Sequence, residues 1–138
     1  MVDFHDRTAL ITGASSGIGK AFAETLAAKG AKVILVARSK AKLESLAAQI
    51  RKRHAVRAEV IVTDLSKEKA PDTVFAKVQK LGRRVDVLVN NAGFGTYGRF
   101  HELSTEDDHR EIMVNVVALA RLTHLFLPAM VKRHEGVS

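Results

Sequence analysis

Along this 138-residue chain, short runs of uninterrupted apolar residues alternate with longer segments in which apolar side chains recur every three or four positions. The runs are TALIT (Thr8–Thr12), KVILVA (Lys32–Ala37), AEVIVTD (58–64) and VDVLVN (85–90). Runs this short, bounded by turn residues and lacking polar alternation, predict strands buried on both faces. Between them the spacing predicts helices. The first places Ile18, Phe22, Thr25 and Leu26 on one face and stops at Gly30; the second is N-capped by Ser39 and buries Leu43, Leu46, Ala47 and Ile50. The third, Pro71 to Gly82, turns Val74, Phe75, Val78 and Leu81 inward. Thr105 with Asp108 predicts a capping box for a long last helix reaching about Lys132.

Strands separated by helices pair in parallel through right-handed crossovers, so the chain predicts an α/β doubly wound open sheet. No linker, repeat or low-complexity stretch divides it, and one domain, 1–138, is expected. A chain of this length buries about two thirds of its unfolded surface.

Composition narrows the possibilities. Hydrophobic content of 46% against 27% charged is a globular balance. The absence of cysteine excludes disulfides and thiolate metal sites, and no metal is expected. The longest apolar stretch, MVNVVALARLTHLFLPAMV, is interrupted by Asn115, Arg121, Thr123, His124 and Pro128, and MVDFHDR lacks a signal-peptide core. No membrane span, no export and a cytoplasmic location are expected. A net charge of +7 suits nucleic acid or an acidic membrane surface. Much of it, however, lies in SKAKLESLAAQIRKRH, where the cations form the solvated face of an amphipathic helix, a polyanion site being the alternative. No aromatic residue is interleaved there, which argues against nucleic acid.

The candidate chemistry begins at TGASSGIGK, Thr12 to Lys20. Gly13, Gly17 and Gly19 form GxxxGxG between the first strand and the first helix. Residues without a Cβ permit left-handed backbone and close approach of a phosphate, and a helix N-terminus supplies free N–H donors. In this strand–loop–helix context the pattern predicts dinucleotide binding on a Rossmann-type sheet of strand order 3-2-1-4. The same loop satisfies G-x-S-x-G, the nucleophile elbow of serine hydrolases, with Ser15 as nucleophile and Asp86 with His124 or His134 as partners. That alternative leaves Gly19 unexplained and places the elbow after the first strand.

At the end of the second strand an NAD binder carries an acid for the adenosine ribose. Here stand Ala37, Arg38 and Ser39. An arginine pairs bidentately with phosphate and a serine donates to it, so the expected cofactor is NADP(H); a plain surface arginine is the alternative.

TGASSGIG, the acid in TDLS after the third strand, NNAG after the fourth, and Asn115 in MVN together resemble the classical short-chain dehydrogenase/reductase family over essentially the whole chain. The resemblance implies that Ser15, Ser16 and Ile18 lie along the cofactor phosphates, that Arg38 and Ser39 contact the 2′-phosphate, and that Asp64 and Leu65 bracket the adenine. It implies further that Asn90, Ala92 and Gly93 line the nicotinamide side and that Asn115 helps hold a proton-relay water. Read without the resemblance, Asp64 is a helix N-cap, Asn90 and Asn91 close a turn, and Asn115 bonds a neighbouring carbonyl.

The activity implied is hydride transfer between nicotinamide and a carbonyl or alcohol, assisted by a serine and by a tyrosine whose acidity a lysine raises in Y-x-x-x-K. The single tyrosine, Tyr97, has His101 four residues on, and Ser138 ends the chain. The expectation is therefore the cofactor-binding half of a larger enzyme, ended before a fifth strand and inactive by itself, with a non-catalytic NADP(H)- or partner-binding module as the alternative. VDVLVN is then an apolar edge, and Phe126, Leu127 and Met130 lack part of their cover unless a second copy packs on the last helix.

Overall fold

The computed structural model describes residues 3–15, 17–91 and 117–133. Four strands, β1 (Thr8–Thr12), β2 (Lys32–Ala37), β3 (Ala58–Val62) and β4 (Val87–Val89), form one parallel sheet in the order β3-β2-β1-β4. Helices α1 (Gly17–Ala28), α2 (Lys40–His54), α3 (Ala70–Lys80) and α4 (Leu119–Arg133) accompany them. β1 is flanked on both sides, with Leu10 opposite Ile34 of β2 and Leu88 of β4. This is the doubly wound topology that the alternation of strands and helices predicts.

Because successive strand residues point to opposite faces, β1 feeds two cores. Ala9 and Ile11 pack with Val33 and Leu35 under Ala23, Leu26 and Ala27 of α1 and Leu43, Leu46, Ala47 and Ile50 of α2. Leu10 packs on the other face with Ile34, Val36 and Leu88 under Val74 and Val78 of α3 and Leu122, Phe126 and Met130 of α4. Phe75 meets Phe126 edge-on, with ring centroids 5.1 Å apart.

Three expectations about packing need correction. α1 buries Gly19, Ala23, Leu26 and Ala27, leaving Ile18, Phe22 and Thr25 exposed, because the start of the helix sits so close to the glycine loop at Gly19 that no Cβ fits beneath it there. Leu81 is not inward; it caps the C-terminus of α3 and is 40% exposed. Phe126 and Met130 are buried, covered by α3 and the sheet, and only Leu127 of that trio faces outward. The capping box of Thr105 and Asp108 lies outside the described residues.

β4 is an edge among the described residues. Its start is pinned by Asp86, whose backbone N–H donates to Thr8 O at 2.8 Å while its carboxylate accepts from Thr8 N–H at 2.9 Å. Arg133, from the last turn of α4, donates to the Val85 carbonyl and stands 3.6 Å from the Asp86 carboxylate. Among the described residues, no helix is long and apolar enough to cross a membrane.

Candidate functional site

Parallel strands carry their C-terminal ends to one side of the sheet, and the described residues of the sequence motifs gather there. β1 leads into the glycine loop, in which Gly13 and Gly17 hold φ of 64° and 61°, the left-handed region where a Cβ is strained. Open space surrounds the Cβ position of Gly17, whereas a Cβ on Gly19 would overlap the Gly13 carbonyl oxygen and stand 2.6 Å from Asn91 Nδ2. The two glycines thus serve different needs: Gly17 leaves room beside the loop, and Gly19 lets α1 close onto it.

The loop is fastened to its neighbours. Ala14 N–H donates to Val36 O of β2 at 3.2 Å. On the other side Asn91 N–H donates to Thr12 Oγ1 at 2.9 Å, and Asn91 Nδ2 reaches Gly13 O at 3.4 Å. Thr12 Oγ1 in turn reaches Val89 O at 3.4 Å. Asn91 and the glycine loop therefore form one hydrogen-bonded seam across β1 and β4. Ser15 is half-buried in this loop and Ile18 is 67% exposed at the start of α1. The N-terminus of α1 carries no acidic residue in its first turn, so its positive dipole end is uncompensated.

Arg38 follows β2 directly and is exposed, with no ion pair among the described residues. Ser39 is the N-cap of α2, its Oγ accepting from Lys42 N–H at 3.4 Å, as its sequence position predicts. Beyond β3, Asp64 Oδ1 accepts from Ser66 N–H at 2.9 Å and Ser66 Oγ at 2.7 Å, which fixes the turn rather than capping a helix. Leu65 is buried in the core beneath that turn. Asn90 donates through Nδ2 to Thr123 Oγ1 of α4 at 3.3 Å, and its buried Oδ1 has no hydrogen-bond partner among the described residues. Ser16, Ala92, Gly93 and Asn115 lie outside the described residues.

The structure thus brings Gly13, Ser15, Gly17, Ile18 and Gly19 together with Asn90 at the end of β1 and β4, and sets Arg38, Ser39 and Asp64 at the ends of β2 and β3. A loop of left-handed glycines at a helix N-terminus, with the Arg38 guanidinium unpaired among the described residues one strand away, fits a phosphate-bearing dinucleotide. Thr12 and Asn91 had no such role in the sequence reading. A threonine closing a strand carries no signal by itself, whereas the second asparagine of NNAG was visible only as a turn former.

The hydrolase alternative fails on geometry. Asp86 pairs with Thr8, at the opposite end of β1 from the loop that carries Ser15. The five residues of β1 separate the two ends by four rises, roughly 13 Å. His124 is exposed on α4, and His134 lies outside the described residues.

Comparison with known proteins accords with this arrangement. The family model described as short chain dehydrogenase matches residues 7–137. Hydroxysteroid dehydrogenase-like protein 1 of Gallus gallus is 36% identical over 138 residues, covering 99% of this chain and 41% of that protein. The very-long-chain 3-oxoacyl-CoA reductase of Anas platyrhynchos is 38% identical over 135 residues, covering 94% of this chain and 42% of that protein. L-sorbose reductase from Gluconobacter frateurii, solved in complex with NADPH and L-sorbose, superposes with a TM-score of 0.87 at 34% identity, covering 96% of this chain and 51% of that one. The chain spans 41% to 42% of the length of these curated relatives. With its glycine loop, the Asn91 seam and the 3-2-1-4 sheet in place, and with the family model matched almost end to end, the chain belongs to the short-chain dehydrogenase family of oxidoreductases.

Proposed function

We propose that residues 1–138 form a single dinucleotide-binding unit selective for NADP(H), the cofactor-holding half of a reductase that exchanges hydride between nicotinamide and a carbonyl or alcohol. The observation that carries the selectivity is Arg38. It stands exposed and without an ion pair among the described residues, where an NAD-selective site places a carboxylate. A guanidinium pairs bidentately with a 2′-phosphate, and the Ser39 hydroxyl adds a donor beside it. The N-terminus of α1 and the glycine loop take the pyrophosphate, Ser15, Ser16 and Ile18 line it, and Asp64 and Leu65 border the adenine. Asn90, Ala92 and Gly93 flank the nicotinamide, and Asn115 holds a water. The bound cofactor supplies the hydride chemistry; these residues bind and orient it. The NADPH bound to the L-sorbose reductase supports this reading. Absence of cysteine suits the reducing cytoplasm.

Titration with NADPH and NADH tests the selectivity. Arg38→Ala is expected to weaken NADPH at least about tenfold, the loss of one charge-assisted bidentate contact, while leaving NADH within a factor of about three. Equal losses for both cofactors would refute the assignment of Arg38 to the 2′-phosphate.

No Y-x-x-x-K occurs in the 138 residues, which favours cofactor binding without catalysis by this chain. NADPH oxidation followed at 340 nm with a panel of ketones is expected to show no turnover above the blank. Turnover would mean that another group moves the proton.

A further inference from the structure

In a parallel sheet the N-terminal ends of all strands share one rim, and here that rim faces away from the glycine loop. The segments that build it are 3–7, 29–32, 51–59 and 77–86, joined by the last turn of α4 at 132–133. Together they hold thirteen lysines and arginines against four aspartates and glutamates, a surplus of nine, while the whole chain has a net charge of only +7. The remainder of the molecule is slightly acidic, so the positive charge is concentrated at one pole.

Two ordinary uses of these cations leave a surplus. The C-termini of α1 to α4 converge on this rim and carry about half a negative charge each, roughly two in all. The buried or half-buried acids are already served twice: Glu59 by Arg57 and Arg83, and Asp86 by Arg84 and Arg133. Lys29, Lys52, Arg53, Lys77 and Lys80 remain exposed beyond these pairs. At the apex of the α3–β4 turn, between Lys80 and Arg83, stands Leu81, 40% exposed.

We propose that this basic rim is a docking surface for an anionic lipid bilayer, with the cations over the headgroups and Leu81 dipping among them. Charge complementarity sets the occupant's sign, since clustered lysines and arginines add their attraction to an anionic surface residue by residue. The shape favours a plane over a nucleic acid: the cations are spread over five separate segments rather than along one groove. Among the described residues the only Phe, Tyr or Trp in these segments is the half-buried Phe4, so there is no stacking platform of large rings. An exposed leucine flanked by cations is the amphipathic arrangement that a headgroup layer accommodates. Docked this way, the protein keeps its glycine loop and Arg38 turned towards solvent, and the proposal stands independently of which dinucleotide binds.

The test is co-sedimentation of the chain with vesicles of phosphatidylcholine containing 30 mol% phosphatidylserine, the composition being the experimenter's choice. Binding is expected, with none to pure phosphatidylcholine, and with a loss of at least about tenfold between 50 mM and 500 mM salt as screening shortens. The decisive comparison is between two triple variants of equal net charge. Lys29→Glu, Lys52→Glu and Lys80→Glu at the rim should abolish sedimentation. Lys20→Glu, Lys67→Glu and Lys69→Glu, at the glycine-loop end, should retain most of it. Circular dichroism of both variants confirms folding, and Leu81→Asp in place of the first triple serves if that variant is unfolded. Equal losses in the two triples, or no binding to anionic vesicles by the parent chain, would overturn the proposal. So would retention of duplex DNA at 150 mM salt without retention of vesicles, which would make the rim a nucleic-acid surface.

Discussion

Gly19→Ala is expected to cost the chain both its stability and its cofactor site. The new methyl group would lie within the contact radius of the Gly13 carbonyl oxygen and 2.6 Å from Asn91 Nδ2. The oxygen is backbone and cannot rotate away, so α1 must lift from the sheet, opening the contacts of Ala23, Leu26 and Ala27 with the core. Overpacking of this kind costs about 1 to 3 kcal/mol, and the displacement falls on the helix end that takes the pyrophosphate. Thermal unfolding and NADPH titration should both respond, with binding weakened well beyond tenfold. Gly17→Ala is the control. Open space receives its Cβ, leaving only the strain of φ 61°, about 1 kcal/mol. A Gly19→Ala chain that melts with the parent would show that α1 does not rest on Gly13.

Asp86→Ala is the other large loss expected, at the opposite end of the same strand. The carboxylate is 6% exposed, accepts from Thr8 N–H and faces Arg133, whose side chain is 18% exposed. Removing it leaves a mostly buried guanidinium without its counter-charge and a buried amide without its acceptor, a defect of about 3 kcal/mol. For a domain of this size that lowers the melting temperature by roughly 10 °C. Asp86→Asn keeps an acceptor for Thr8 and should lose less. NADPH affinity measured below the transition should be unchanged in both, because the pair sits roughly 13 Å along β1 from the glycine loop. A melting temperature within a degree or two of the parent would mean that Arg133 finds its counter-charge elsewhere.

The strands and the inner face of α2 were legible from apolar spacing because those positions answer to burial alone. KVILVA is β2 to the residue, and Leu43, Leu46, Ala47 and Ile50 are all buried. α1 misled for a definite reason. Its largest apolar residues, Ile18 and Phe22, are exposed, and its inner face consists of glycine, alanine and one leucine. Hydrophobic size points inward only where there is room, and the approach at Gly19 removes the room. Leu81 failed at a boundary, where the helix ends one residue before the pattern does. Asp86 shows the limit for titratable residues. Its type and its place in the sequence suit a catalytic acid as well as a structural one, and only the pairing of Thr8 with Asp86 across β1 and β4 assigns it to the fold. The glycine loop was readable because positive φ and close contact each admit almost no residue but glycine. The seam through Thr12 and Asn91 was not, since its partners lie 79 positions apart.

That seam also bears on motion. The Asn91 amide, the Thr12 hydroxyl, the Val89 carbonyl and the Gly13 carbonyl hold the loop to the two strands that frame it. A glycine-rich segment free at both flanks opens on its own at little cost, and its amides exchange with solvent quickly. Here the Gly13 carbonyl is tied to Asn91 on one side and the Ala14 N–H to Val36 O of β2 on the other, so the start of the loop is expected to open only together with its neighbours and the Ala14 amide to exchange slowly. Gly13, a residue with little intrinsic preference for any conformation, is thereby held at the end of the central strand.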